Sequence, residues 1–137
     1  MQGVIDQAVQ VRLIATAPGP HAVPAVLRYA PADPLAVRIT FPPEISLDGV
    51  AVDWAFAREL LSEGLRAPCG SGDVRVRPFG SGRTVLEFHV EDGVAMVQMR
   101  TSDIERFLER SYDAVPEGRE QQHLDVDGGL AQLFGAA

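Results

Sequence analysis

The stretch VAVDWAFARELLSEGLRAPCGSGDVRVRP, Val50 to Pro78, changes its hydrophobic period half way along, and that change decides the fold. Val50, Val52, Trp54 and Phe56 alternate with Ala51, Asp53 and Ala55, the period of a strand packed on one face. From Ala57 the period becomes helical. Ala57, Leu60, Leu61 and Gly64 fall at i, i+3, i+4 and i+7, while Arg58, Glu59, Ser62 and Glu63 form the opposite, polar face. The spacing predicts an amphipathic helix of about two turns, ended by Gly64 in the left-handed conformation of a Schellman cap with Leu65 folded back onto Leu60. Val74 and Val76 then alternate with Arg75 and Arg77, so a second strand follows. Trp54 and Phe56 supply large apolar area where the first strand meets the helix.

Upstream, Ile5, Val9, Val11 and Leu13 share one parity against Asp6, Gln10 and Arg12, which predicts a long first strand ended by Pro18, Gly19 and Pro20. Val23 to Tyr29 and Leu35 to Phe41 read as an antiparallel pair, joined by a turn in which Pro31 and Pro34 flank Ala32 and Asp33. Pro42 and Pro43 stop that sheet. Downstream, Gly80-Ser81-Gly82 turns the chain into a strand carrying Leu86, Phe88 and Val90, and Asp92-Gly93 returns it into Val94 to Met99. That returning strand is apolar on both parities, which predicts cover on both sides by a second sheet or another protein. Ser102 and Glu105 have capping-box spacing before a helix whose buried face is Ile104, Phe107, Leu108 and Ser111, and Pro116 ends it. A short terminal helix, capped by Asp125 or Asp127, carries Leu130, Leu133 and Phe134. The predicted order is four strands, a helix, three strands, a helix and a short helix. This is an α+β domain of two antiparallel sheets with a central helix and C-terminal helices, read as one unit over residues 1–137.

A chain of 137 residues can bury one real core and is too short for two. Its 19 acidic and 12 basic residues leave a net charge of −7, so its long-range field repels polyanions. All the basic residues are arginine. The single cysteine, Cys69, has no partner for an internal disulfide or a redox pair, which fits a reducing compartment. Met1 to Ile14 lack a basic leader and an apolar run, and nothing elsewhere approaches the ~18 apolar residues of a membrane span. A cytoplasmic protein without membrane insertion is expected.

Few constellations carry chemistry. His123, Asp125 and Asp127 are spaced by two and could ligate a metal from an extended segment, but capping and polar connection are the commoner use of such residues. Cys69 precedes Gly70-Ser71-Gly72 with neither a helix start nor a nearby histidine to lower its pKa. Both glycine-rich turns lead into strands, so they lack the helix N-terminus of a phosphate loop. His89, on one parity with Glu87, and His21, in a Pro-Gly loop, read as ordinary histidines. Arg75, Arg77 and nearby Arg83 form a basic stripe that could meet a phosphate backbone, or the acidic helix face of Glu59 and Glu63 in this or a neighbouring subunit. The net charge favours the second. No catalytic, cofactor-binding or metal-binding residues are expected.

Three blocks resemble the SsgA-like proteins, sporulation and cell-division regulators of spore-forming actinobacteria. DWAFARELLSEGL followed by GSGDVRVRP looks like the central motif of that family, and VPAVLRYAPADPLAVRITF, Val23 to Phe41, matches its strand, Asp-Pro turn and strand. Phe107-Leu108, Val115-Pro116 and HLDVD, His123 to Asp127, follow in the expected order. The resemblance implies a Whirly-like fold, a homotrimer, no catalytic residues, and control of septum placement, with one branch recruiting the tubulin-like division protein FtsZ. On this basis the expected function is a non-catalytic adaptor at the division septum. It would bind FtsZ or other SsgA-like proteins through Arg58, Glu59, Ser62 and Glu63, and self-associate through Val94, Met96, Val97 and Met99. The alternative carried by a Whirly-like architecture is a single-stranded nucleic-acid-binding module, by fold analogy alone. That function needs a positive groove interleaved with exposed aromatics, whereas Trp54, Phe56, Phe88 and Phe107 all sit at core parity, so no nucleic acid is expected.

Overall fold

Four strands, a helix, three strands and a helix run through residues 3–14, 22–42, 52–90 and 93–122, which the computed structural model describes. They are β1 (Ile5–Leu13), β2 (Ala22–Tyr29), β3 (Ala36–Phe41), β4 (Val52–Ala57), α1 (Arg58–Gly64), β5 (Val74–Pro78), β6 (Arg83–Val90), β7 (Gly93–Arg100) and α2 (Thr101–Ala114). The order is the one the hydrophobic periods predict. Pro18 to His21, Pro43, Val50, Asp92 and the terminal helix with His123, Asp125 and Asp127 lie outside the described residues.

The strands form one seven-stranded antiparallel sheet, ordered β4-β3-β2-β1-β7-β6-β5, and not the two sheets expected. β1 accounts for the difference. It pairs with β2 from Ile5↔Tyr29 to Arg12↔Ala22, and then with β7 through Val11↔Met99, Arg12↔Gln98 and Leu13↔Val97. Just beyond, the Ile14 N–H donates to the Met96 carbonyl at 2.9 Å. Two local meanders are thereby hydrogen-bonded into a continuous sheet. The sheet curls until its distant parts meet: Trp54 of β4 lies 5.1 Å from Phe88 of β6, and Phe41 of β3 meets the same ring edge-on at 5.7 Å. Edge-to-face and tilted ring pairs of this kind add stability beyond their buried area.

α1 follows edge strand β4 directly and packs on the other edge, β5. Gly64 makes that approach possible. A Cβ there would stand 2.3 Å from Val76 Cγ1, so any side chain would force helix and strand apart. Gly64 is the last helical residue, and Leu65 after it has φ −72° and ψ −21°, so the left-handed Schellman ending does not form. The glycine answers to close packing rather than to the turn of the backbone.

Along β7 the two-residue period puts Val97 and Met99 inside the curl, where they are buried with Val11, Leu27, Ile39, Leu86 and Phe88. Val94, half exposed at 50%, and Met96, partly buried, belong to the outer face. The strand is therefore not covered on both sides by apolar packing, and Val97 and Met99 are core residues of their own chain rather than an interface. α2 brings Ile104, Phe107 and Leu108 to the same core. It starts at Thr101 straight from β7, with Arg100 at the N-cap and no side-chain cap, so the Ser102–Glu105 box is not made. Thr101 fixes the entry instead: its N–H donates to the Gly82 carbonyl at 3.0 Å and its hydroxyl lies 2.8 Å from that of Thr84. Among the described residues no helix is long and apolar enough to cross a membrane.

Candidate interaction surfaces

The four polar residues of α1 do not share one exposed face. Arg58 is 1% exposed, the largest fully buried side chain described. The residues α1 buries are Arg58, Leu61 and Gly64, a stripe rotated from the one that polarity alone outlines. Arg58 Nη1 donates to the carbonyls of Val115 at 2.9 Å and Ser111 at 3.1 Å, and Nη2 donates to Glu120 Oε2 at 2.9 Å. Its guanidinium lies over the rings of Tyr29, at 4.8 Å, and Tyr112, at 4.2 Å. α2 has no basic residue in its last turn. Arg58 supplies one from another element, at the end where the helix dipole favours a cation, and the planar fork satisfies carbonyls and carboxylate together. Burial pushes the Tyr29 hydroxyl up to about 12, and it donates to the Pro34 carbonyl at 2.9 Å.

Glu59 and Glu63 are exposed and Ser62 is half-buried, so the candidate partner face reduces to these three. Beside them opens a hollow of about 240 Å³ lined by Leu35, Glu59, Tyr112, Glu117, Gly118 and Glu120. Leu35, expected inside the third strand, precedes β3 and is 50% exposed at this hollow. Its carbonyl accepts from the Arg58 N–H at 2.8 Å, which holds it beside the start of α1. Leu35 and Glu117 come together only through the tertiary fold, so no local pattern could have grouped them with α1.

Cys69 Sγ donates to Glu63 Oε2 at 3.4 Å. Desolvation first, and the Glu63 carboxylate after it, push the thiol pKa up, the opposite of what a nucleophile needs. Among the described residues no group of three or more His, Cys, Asp or Glu side chains is placed to hold a metal ion.

The basic stripe is divided. Arg77 pairs with Glu87 on the adjacent strand at 2.9 Å, not with Glu59 or Glu63. Its hydrogen bond is the main reason the Glu87 carboxyl is held below the usual range, and His89, 3.3 Å from the same carboxylate, contributes. Arg75 is exposed on the edge strand opposite Glu87. Arg83 belongs to another group altogether: with Arg12 and Arg100, distant in sequence, it lines a hollow of about 290 Å³ on the outer face of the sheet. A further apolar hollow of about 120 Å³ lies at the mouth of the curl, between Trp54, Phe41, Phe88 and Val97.

Fold and surfaces together define an α+β domain built on one curled antiparallel sheet, with charged patches outside an apolar core. The sequence model of the Streptomyces sporulation and cell division protein SsgA matches residues 23–120. The chain belongs to the SsgA family. It is 46% identical over 131 residues to the sporulation-specific cell division protein SsgB of Salinispora tropica, covering 92% of this chain and 91% of that one. With SsgB of Streptomyces coelicolor the identity is 38% over 137 residues, 98% of each chain. Among solved structures, the SsgA-like sporulation-specific cell division protein of Thermobifida fusca superposes with a TM-score of 0.85 at 32% identity, covering 96% of both chains. A solved chain from work on SsgB mutations and longitudinal cell division in sporulating Streptomyces coelicolor gives a TM-score of 0.78 at 37% identity, over 88% of this chain and 94% of that one. Relatives named as sporulation-specific cell division proteins place this chain in cell division.

Proposed function

We propose that the protein is a non-catalytic adaptor of sporulation-specific cell division, which recruits or positions FtsZ, alone or with another SsgA-like protein, at the septum from the cytoplasm. The observation that carries this reading is the exposed acidic pair Glu59 and Glu63 on α1, next to the hollow floored by exposed Leu35 and rimmed by Glu59, Glu117 and Glu120. An apolar floor with a charged rim is the anatomy of a protein-docking patch. α1 is held rigidly under it by Arg58, so the patch is presented in one geometry and little ordering entropy opposes binding. The Whirly-like homotrimer implied by the family resemblance is part of the same reading, with Val94 and Met96 as its candidate contact.

Surface plasmon resonance with immobilised FtsZ, and separately with a second SsgA-like protein, tests it. The native chain is expected to bind at least one of them. The double variant Glu59→Lys, Glu63→Lys is expected to bind more weakly while melting at nearly the native temperature, because both residues are exposed. No binding of either partner at ~50 µM, where even a weak transient complex would register, removes the direct-adaptor reading.

A further inference from the structure

Across the outer face of the sheet, three arginines meet carboxylates. Arg28 and Arg38 stand directly opposite one another in the β2–β3 pairing, and each has an acid beside it: Asp6 at 2.6 Å and Asp53 at 3.2 Å. Arg77 has Glu87. Arg83 and Arg100 also stand directly opposite one another, in the β6–β7 pairing, yet neither guanidinium has an ion pair or hydrogen bond among the described residues. Like charges facing across an antiparallel pair oppose folding. Arg12 joins them from β1, likewise unpaired, and the three line the same hollow of about 290 Å³ with Gln10, Ala22 and Asp103. Among the described residues Asp103 is the one carboxylate there, and it lies 4.0 Å from Arg106. Among the described residues the hollow is therefore lined by three arginines against one acid, in a chain whose net charge is −7.

We propose that this hollow is a binding site for a compact phosphate group, inorganic or borne by a nucleotide. Three arginines lining one small space offer forks that suit a tetrahedral oxyanion, to which each guanidinium can donate in pairs. An extended polyanion fits less well: leaving the hollow it would pass Asp6, Asp53 and Glu87 on the same face, against the field of an acidic protein. The arginine repulsion that the bare chain carries is relieved when the anion is bound, so ligand and fold stabilise one another.

Isothermal titration of the full chain with inorganic phosphate, pyrophosphate and adenosine diphosphate, at low ionic strength where exposed charges act at full range, tests the site. Saturable binding of pyrophosphate is expected. Arg12→Gln and Arg100→Gln, both exposed positions that should leave the fold intact, are each expected to weaken it about tenfold or more, the loss of a charge-assisted hydrogen bond. Asp103→Asn is expected to tighten it, and Arg28→Gln, on the same face but paired to Asp6, to leave it unchanged. Adenosine diphosphate binding more tightly than pyrophosphate assigns the phosphate to a nucleotide; equal binding assigns it to the free anion. Absence of a saturable signal at ~10 mM pyrophosphate, beyond any useful affinity, overturns the proposal, and so does an equal loss in Arg28→Gln.

Discussion

Arg58, the first residue of α1, donates its Nη1 hydrogen bond to the carbonyl of Val115, just past the last turn of α2, at 2.9 Å. Two helices separated by three strands are thus joined end to end by one side chain. Truncating it removes the guanidinium donor shared by the carbonyls of Ser111 and Val115 and by Glu120 Oε2, and leaves Ser111 only the Val115 N–H and Glu120 only backbone N–H groups. Arg58→Ala should cost ~3–5 kcal/mol, the loss measured when one partner of a buried ion pair is removed. Arg58→Lys keeps the charge but not the fork and should cost less. Denaturant unfolding of both variants gives the ranking.

Gly64→Ala separates two explanations of one glycine. In an exposed helix this change stabilises by ~1 kcal/mol. Here the new methyl would stand 2.3 Å from Val76 Cγ1, and overpacking of that kind costs ~1–3 kcal/mol. A lowered melting temperature is expected; a raised one would mean that α1 does not press on β5.

Acid should loosen the protein at two named carboxylates. Hydrogen bonding from Arg77 is the leading cause that holds Glu87 below the ordinary 4.5. For Glu120, burial is the largest single influence and raises the pKa, but hydrogen bonds from its own and the Gly118 N–H groups and from Arg58 outweigh it and leave a net lowering. A pKa lower in the folded than in the unfolded chain means fewer protons bound when folded. The stability from these groups is present above the unfolded value and disappears as the pH falls through the folded ones. The melting temperature should hold above about pH 5 and drop below it, and Glu120→Gln should make that drop shallower.

Val97→Asp and Val94→Asp, three residues apart on β7, should behave oppositely. Val97 is 2% exposed inside the curl, so a carboxylate there costs several kcal/mol and prevents folding. Val94 is half exposed, and its substitution should leave monomer stability within ~0.5 kcal/mol. If the outer face of β7 joins copies of the chain, light scattering will show Val94→Asp folded but smaller in mass than the native assembly.

Element order and core are legible because strand and helix periods are local, and most elements end near a proline or glycine while β4 and β7 end where the period turns helical. Parity assigns Trp54, Phe56, Phe88 and Phe107 to the core, and Phe56, Phe88 and Phe107 are buried while Trp54 is partly so. Sheet count was not legible, since pairing of Val11 with Met99 is a relation between distant segments with no signature in either. The burial of Arg58 is not legible in the sequence for a related reason. Polarity assigned it to the surface, whereas its burial depends on carbonyls at the far end of α2. The Arg12, Arg83 and Arg100 cluster was invisible until three strands were laid side by side.

The short pairing between β1 and β7 also sets an order of assembly. Each meander is made of neighbouring hairpins and costs little chain entropy to form, whereas joining Leu13 to Val97 closes most of the chain for only three residue pairs. The two halves are therefore expected to form early and to find each other late, with the slow step at that seam. Substitutions in Val11 to Leu13 should then slow refolding, while equally damaging ones in the outer strand β4 should chiefly hasten unfolding.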